Sequence, residues 1–181
     1  MKTRMKIILF SLLIIPGNIF SQSYQETFDR KYTTTPADLK DYAEIARYLT
    51  KDLNNEKDRS RAIYIWIAHN IEYDLPLLRS NLTYYSTEEL ISYVLKYRKG
   101  LCQHYSELFN VMCNSVGVKS FVISGYARQG DGKISEINHA WNGVAIGSDY
   151  FPVDVTWAAG YVTEDKYVHE FRDDYFLVDP G

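Results

Sequence analysis

Apolar side chains recur at helical spacing through the first two-thirds of the chain, then switch to the short runs and alternation of strands. Leu39, Tyr42, Ala43, Ala46 and Leu49 form one stripe. They predict a helix opened by Thr35 as N-cap, with Pro36 at its first position and Asp38 as capping partner, and ended by Asn54-Asn55. Ala62, Ile63, Trp66, Ile67 and Ile71 predict a second helix from Asp58 to His69, closed by Pro76, which cannot continue it. The stretch to Tyr85 reads as a loop. A third helix opens at Ser86-Thr87-Glu88-Glu89 and carries Leu90, Ile91, Val94 and Leu95. Tyr105, Leu108, Phe109, Met112, Cys113 and Val116 line a fourth, which begins just after Gly100 and stops at Gly117.

Beyond Gly117 the period is extended. Ser120 to Ala127 reads as a strand and Gln129 to Lys133 as a glycine-rich turn. Asn138 to Ile146 and Tyr150 to Trp157 read as a hairpin joined through Gly147-Ser148-Asp149. Ala158-Ala159-Gly160 leaves the sheet, and Tyr175 to Val178 predicts a last strand. Helices first and strands second is the order of an α+β domain, with the helices against an antiparallel sheet. No repeat or linker interrupts it, so residues 35–181 read as one domain after an irregular lead-in at 22–34.

Residues 1–21 stand apart. Lys2, Arg4 and Lys6 precede the apolar run Ile7 to Ile15, and Pro16-Gly17 breaks it ahead of Asn18 to Ser21. This is the pattern of a secretory signal cleaved after Ser21, and it predicts export to the periplasm or the medium. Nine apolar residues are too few to span a bilayer, so no integral membrane segment is expected in the mature chain. Removing that segment takes the formal charge from −3 to −6. A mildly acidic chain without a basic tract excludes nucleic acid and anionic membranes as partners.

The candidate chemistry begins at Cys102. A glycine turn delivers it to the first turn of the fourth helix, where unpaired N–H groups and the helix dipole favour a thiolate. Cys113, in mid-helix on the apolar face, reads as core. Eleven residues of helix separate the two by roughly 16 Å, far beyond the ~7 Å a disulfide allows. A thiolate nucleophile needs a base, and the base needs a group to orient it. Of four histidines, His69, His104 and His169 read as surface or capping residues. His139 lies on a strand within Asn138-His139-Ala140-Trp141-Asn142, and Asp154 is the one acid inside Phe151 to Trp157. Taken singly, either fits a satisfied structural polar group; with a helix-start cysteine the functional reading gains. A turn near Ser148 would set Asp154 opposite Asn142 or Gly143, roughly 10–13 Å along the strand from His139. A bulge at Gly143 or Gly147 would have to close that gap.

Four segments in this order carry a family resemblance: Arg61 to Asp74, Lys99-Gly100-Leu101-Cys102, Asn138 to Asn142, and Val153 to Gly160. The chain resembles the transglutaminase-like domains of the papain-like cysteine enzymes, in particular the kyphoscoliosis peptidase-like branch. The resemblance implies a papain/transglutaminase-like α+β fold with the cysteine helix packed on the sheet. It also implies roles: Cys102 as nucleophile, His139 as general base and acid, Asp154 as the group orienting the imidazole. The reaction implied is acyl transfer at an amide through a thioester, with hydrolysis favoured over glutamine transamidation. A protein or peptide substrate follows, cell-wall peptide included. Trp157, Tyr73 and Trp141 are the candidate site walls, and no cofactor is expected. Two rivals stay open: a non-catalytic scaffold, and a metal site made of Cys102, His104 and His139, whose spacing is not that of zinc ligands.

Overall fold

The segment Ser60 to Ala68 is buried at nine consecutive positions, so the helix that contains it lies at the centre. A helix apolar on one side would lie on a surface; one buried all round must be covered on every side. The computed structural model describes residues 25–80, 86–128, 134–164 and 166–179, and the structural statements below concern these. The predicted signal at residues 1–21, the turn at 129–133 and the end of the loop at 81–85 lie outside them.

The described residues open with a helix at 25–31 (α1), where the sequence pattern predicts an irregular lead-in. Its residues are too polar to announce a helix, and tertiary contacts hold it. The Phe28 and Tyr32 rings meet at 4.7 Å. Asp29 takes the Arg61 guanidinium with both oxygens, at 2.6 Å and 3.1 Å. Arg61 is almost wholly buried and also bonds Asp173 near the C-terminus. One buried cation thus fastens α1 and the segment at Asp173 to the central helix, charge-compensated as burial requires.

The next helix, α2 (Tyr42–Thr50), starts later than the Thr35-Pro36-Ala37-Asp38 pattern predicts. Asp41 is the true N-cap, accepting from the N–H groups of Ala43 and Glu44. The Thr35 hydroxyl is used elsewhere: it accepts from the Trp66 indole N–H at 3.2 Å. The central helix α3 (Glu56–Asn70) follows, capped by Asn55. Then comes the two-residue strand β1 (Glu72–Tyr73), and the predicted loop contains a short helix, α4 (Leu75–Leu78). Pro76 sits in the first turn of α4, where its missing N–H costs nothing. The third predicted helix is α5 (Thr87–Tyr97), with the Ser86–Glu89 capping box in place.

Arg98 ends α5 in the left-handed region, at φ +55°, and turns the chain into β2 (Lys99–Gly100). This strand pairs in parallel with β1, Tyr73 beside Gly100. The cysteine helix α6 (Cys102–Ser115) starts two residues on. Gly100 is required by space rather than by backbone angle. A Cβ there would stand 2.4 Å from His104 Cβ and 2.8 Å from Cγ. That side chain folds back so that His104 Nδ1 accepts the Leu101 N–H at 3.2 Å, closing the start of α6.

The sheet has the order β3 (Ser120–Arg128), β4 (Ile134–Ile146), β5 (Asp149–Val153), all antiparallel. Ala140, Asn142 and Val144 of β4 are buried on the face toward α6. The Asn142 side-chain amide donates to the Ser106 carbonyl of α6 at 3.0 Å, locking helix to strand. The α+β expectation, with the cysteine helix against an antiparallel sheet, holds.

Two predicted strands do not form as such. The strand expected over Tyr150 to Trp157 stops at Val153, and Asp154 caps a short helix, α7 (Val155–Ala159). A hairpin, β6 (Gly160–Thr163) and β7 (Lys166–His169), follows where the sequence pattern showed nothing. Tyr175 to Val178 is not a strand either. After a 3-10 turn at Asp173–Tyr175, Leu177 takes φ +49° and breaks the extended run. Two backbone bonds remain, Asp154 N–H to Tyr175 O at 2.9 Å and Val178 N–H to Pro152 O at 3.0 Å. They lay the C-terminal segment along the end of β5.

Replacing Gly100 by alanine is expected to cost about 1–3 kcal/mol of stability, since His104 Cβ is too close to its own backbone to move aside. Urea unfolding of both forms checks this; an unchanged midpoint would refute the packing argument.

Candidate active site

The first turn of α6, the middle strand of the sheet and the cap of α7 converge on one point. Cys102 is the first residue of α6 and is partly exposed, while Cys113 is fully buried; both thiols are free. His139 stands on β4, opposite Gly125 of β3. Its Nε2 lies 2.6 Å from Asp154 Oδ2. The other imidazole side serves Cys102, which is hydrogen-bonded to His139. The structure therefore brings together the three residues that the sequence analysis singled out.

The register problem resolves without a bulge. The β4–β5 turn is the two-residue Gly147-Ser148, with Gly147 at φ +62°, so Ile146 pairs with Asp149 and Asn142 with Val153. Continuing that register sets Asp154 level with Trp141, two residues from His139 on the same face. Since β5 ends at Val153, Asp154 is free to turn toward the imidazole. Its Oδ1 accepts the Trp157 N–H at 3.0 Å as the cap of α7, leaving Oδ2 for His139.

The same strand end determines the surroundings of the thiol. Past Asn142, β4 has no partner on the β5 side, and the Ala140 backbone hydrogen-bonds Cys102 instead. Burial by itself pushes the Cys102 thiol up. Hydrogen bonds from His139 and from the Ala140 N–H, the imidazole charge and the Gln103 N–H outweigh it, and the thiol is held below its ordinary value. His139 moves the opposite way. Burial disfavours its charge, but the hydrogen bonds and charges of Asp154 and Cys102 raise it to about 9. The two shifts act in the same sense, toward thiolate and imidazolium. Burial pushes Cys113 well above its usual value, making it inert.

The three wall candidates differ in position. The Trp157 ring lies parallel to His139, with centroids 4.8 Å apart at 15°, and Trp141 stacks at 5.8 Å and 24°. A Cβ on Gly125 would meet the Trp141 ring at 2.9 Å, so that strand position is bare where the indole crosses it. Tyr73, from β1, feels the Cys102 charge. Burial first and that charge second push its phenol up to about 12, so it stays protonated.

The other histidines do not join the site. His104 faces away from the thiol, buried rather than at the surface, and burial lowers it to about 4. It bonds the helix start, so the trio of Cys102, His104 and His139 does not assemble. Among the described residues no group of three or more metal-ligating side chains is found, and no helix is long and apolar enough to cross a membrane. His69 and His169 bond the Ile65 and Ala68 carbonyls near the end of α3, as capping histidines do.

Sequence reasoning missed the Ala140 N–H and the C-terminal segment that holds Asp154. Both act through backbone atoms, which leave no residue-type signal.

Three kinds of comparison bear on this arrangement. The transglutaminase-like superfamily model matches residues 43–155, a span that includes Cys102, His139 and Asp154. The kyphoscoliosis peptidase of Mus musculus is 32% identical over 147 residues, and its Homo sapiens counterpart 31%. Each alignment covers 76% of this chain but 22% of the relative, so the chain spans under a quarter of those proteins. Among solved structures, a TGase crystal structure superposes with TM-score 0.51 at 17% identity, covering 92% of this chain and 38% of that one. The periplasmic domain of TgpA from Pseudomonas aeruginosa gives 0.50 at 15% identity, covering 73% and 48%. These two likenesses concern the fold. With more than half of its length inside the family match, the chain belongs to the transglutaminase-like superfamily.

Proposed function

We propose that this protein is an exported thiol enzyme that cleaves amide bonds of a protein or peptide through a thioester on Cys102. The observation that carries the reading is the linked contact of Cys102, His139 and Asp154, with the thiol lowered and the imidazole raised. Each shift favours the ion pair that a cysteine nucleophile needs. The Cys102 sulfur attacks the amide carbonyl, and the oxyanion forms next to the Cys102 N–H at the start of α6. The His139 imidazolium gives its proton to the leaving amine. Neutral His139 then takes a proton from water, which attacks the thioester, and the acid product leaves with the thiol restored. Asp154 keeps the ring oriented and balances its charge.

Alkylation of Cys102 is expected to proceed well below the pH at which an ordinary thiol reacts, and hydrolysis is expected to fall off above about pH 9 as His139 loses its proton. His139→Ala should slow labelling of Cys102, with Cys113 inert throughout. Labelling that resembles a free thiol and ignores His139 would sink the catalytic reading and favour the scaffold.

Hydrolysis is preferred to transamidation, and product analysis separates them. Thioester-forming peptide substrates supplied together with a primary amine should yield mainly the free acid by mass spectrometry. A predominant amide product would reverse the assignment.

Export rests on residues 1–21 alone. Secretion from a bacterial host should release a chain beginning at Gln22 on N-terminal sequencing. A cell-retained chain that keeps Met1 would refute it.

A further inference from the structure

Helices α2, α3, α4, α5 and α7 are each opened by a side-chain oxygen, that of Asp41, Asn55, Asp74, Ser86 and Asp154 in turn. The cysteine helix α6 is not. Its N-cap is Leu101, whose side chain has no acceptor to offer. An N-cap oxygen takes the N–H of the second or third residue of the helix. In α6 the second residue is Gln103, and its N–H helps to lower the Cys102 thiol. A conventional cap would compete with the thiol for that donor. The third N–H, that of His104, is already bound to the Leu101 carbonyl at 2.8 Å.

His104 supplies a cap of the opposite sense. From the third position of the helix its Nδ1 accepts the Leu101 N–H at 3.2 Å, as the glutamate or glutamine of a capping box does. The Leu101 N–H precedes the helix, so this bond closes the first turn and consumes none of its donors. The ring is held for the task. Gly100 leaves room for its Cβ and Cγ, and the Tyr93 ring packs on it at 5.4 Å and 60°. Asp74 lies beside it, with Oδ1 on the Leu77 N–H at 2.9 Å and Oδ2 on the Tyr93 hydroxyl at 2.8 Å. The Asp74 N–H holds the Gly100 carbonyl at 3.0 Å. Among the described residues Asp74 and Tyr93 are the titratable groups that face His104. Burial keeps the imidazole down at about 4 against the opposing charge of Asp74. It is therefore neutral near neutral pH, and Nδ1 can accept the Leu101 N–H only while the ring is neutral.

We propose that His104 is a positioning residue, which holds the first turn of α6 through Leu101 and so keeps the Gln103 N–H on the thiol and the Cys102 N–H open to the oxyanion. The inference rests on the acyl-transfer reading of Cys102, His139 and Asp154. His104 touches none of the reacting atoms. It acts on them through the backbone between Leu101 and Gln103, by capping the helix from within instead of from the N-cap side chain. The leucine at the cap and the bare glycine before it are then parts of one device: the first withholds an oxygen, and the second admits the ring.

The experiment compares His104→Gln and His104→Leu with the wild type. Glutamine keeps an acceptor that reaches back to the N-cap N–H, and leucine keeps bulk without one. Hydrogen exchange of the Leu101 amide is followed by NMR in leucine-labelled protein. Iodoacetamide labelling of Cys102 is followed against pH, down to about pH 6, where an ordinary thiol is almost unreactive. Circular dichroism and an inert Cys113 report that each variant is folded.

In the leucine variant the Leu101 amide should exchange at least about tenfold faster and labelling at pH 6 should fall roughly five- to tenfold, with glutamine restoring most of both. The two readouts must move together in every folded variant. A variant whose Leu101 amide exchanges freely while Cys102 labels as fast as in the wild type would overturn the proposal. So would one that protects Leu101 yet labels slowly, or a leucine variant in which neither readout changes. If the leucine variant does not fold, the glutamine variant carries the same comparison alone. A wild type that protects Leu101 while Cys102 labels like an ordinary thiol would instead overturn the acyl-transfer reading on which the proposal rests.

Discussion

The structure around the thiol depends on where β5 stops. A strand continuing past Val153 would pair with β4 at Ala140 and leave Asp154 level with Trp141. Its end at Val153 does three things at once. It frees the Ala140 edge to bond the Cys102 thiol, lets Asp154 turn to the imidazole, and gives Asp154 a second task as the cap of α7. Backbone polar groups must find partners when buried. Here the group left over by the sheet finds the Cys102 thiol.

That arrangement needs α6 and β4 to stay in fixed register, and two polar contacts supply it. Asn142 reaches from the strand to the Ser106 carbonyl of the helix. The Tyr105 hydroxyl reaches from the helix to the Ile71 carbonyl at the end of α3, at 2.7 Å. The central helix, buried all round, is thereby the common reference for the thiol and for the sheet. Arg61 extends the same reference through Asp29 and Asp173, and the segment after Asp173 carries the Tyr175 carbonyl that holds the Asp154 N–H. A residue far from the site in sequence and chemistry thus supports the carboxylate.

The electrostatics follow from the geometry rather than from any one residue. Burial opposes the charge of both Cys102 and His139, and the contacts of each with the other, with Asp154 and with a strand N–H outweigh that loss. Cys113 shows the alternative. Equally a cysteine of α6, it has burial without compensation and stays a thiol. Position on the helix, first turn against middle, separates a thiol held below its ordinary value from a piece of core.

The sequence by itself determined the helices with clear stripes and caps, the strand carrying His139, and the choice of Cys102 over Cys113. These follow from local rules: side-chain period, capping chemistry and the polarity of a helix start. It also marked Asp154, because an acid inside an apolar run must have a partner. Only the tertiary structure decided α1, which is held by the Asp29–Arg61 ion pair, and the late start of α2, because Thr35 is taken by Trp66. It alone decided that β5 ends at Val153 and that Tyr175 to Val178 forms no strand. The pattern from Tyr150 to Trp157 suits a strand along its whole length, and no local preference marks Val153. What ends it is the turn into α7, in which the Asp154 carboxylate takes the Trp157 N–H and His139 while its own N–H meets the Tyr175 carbonyl. Those partners come from three separate parts of the chain and meet only once it is folded.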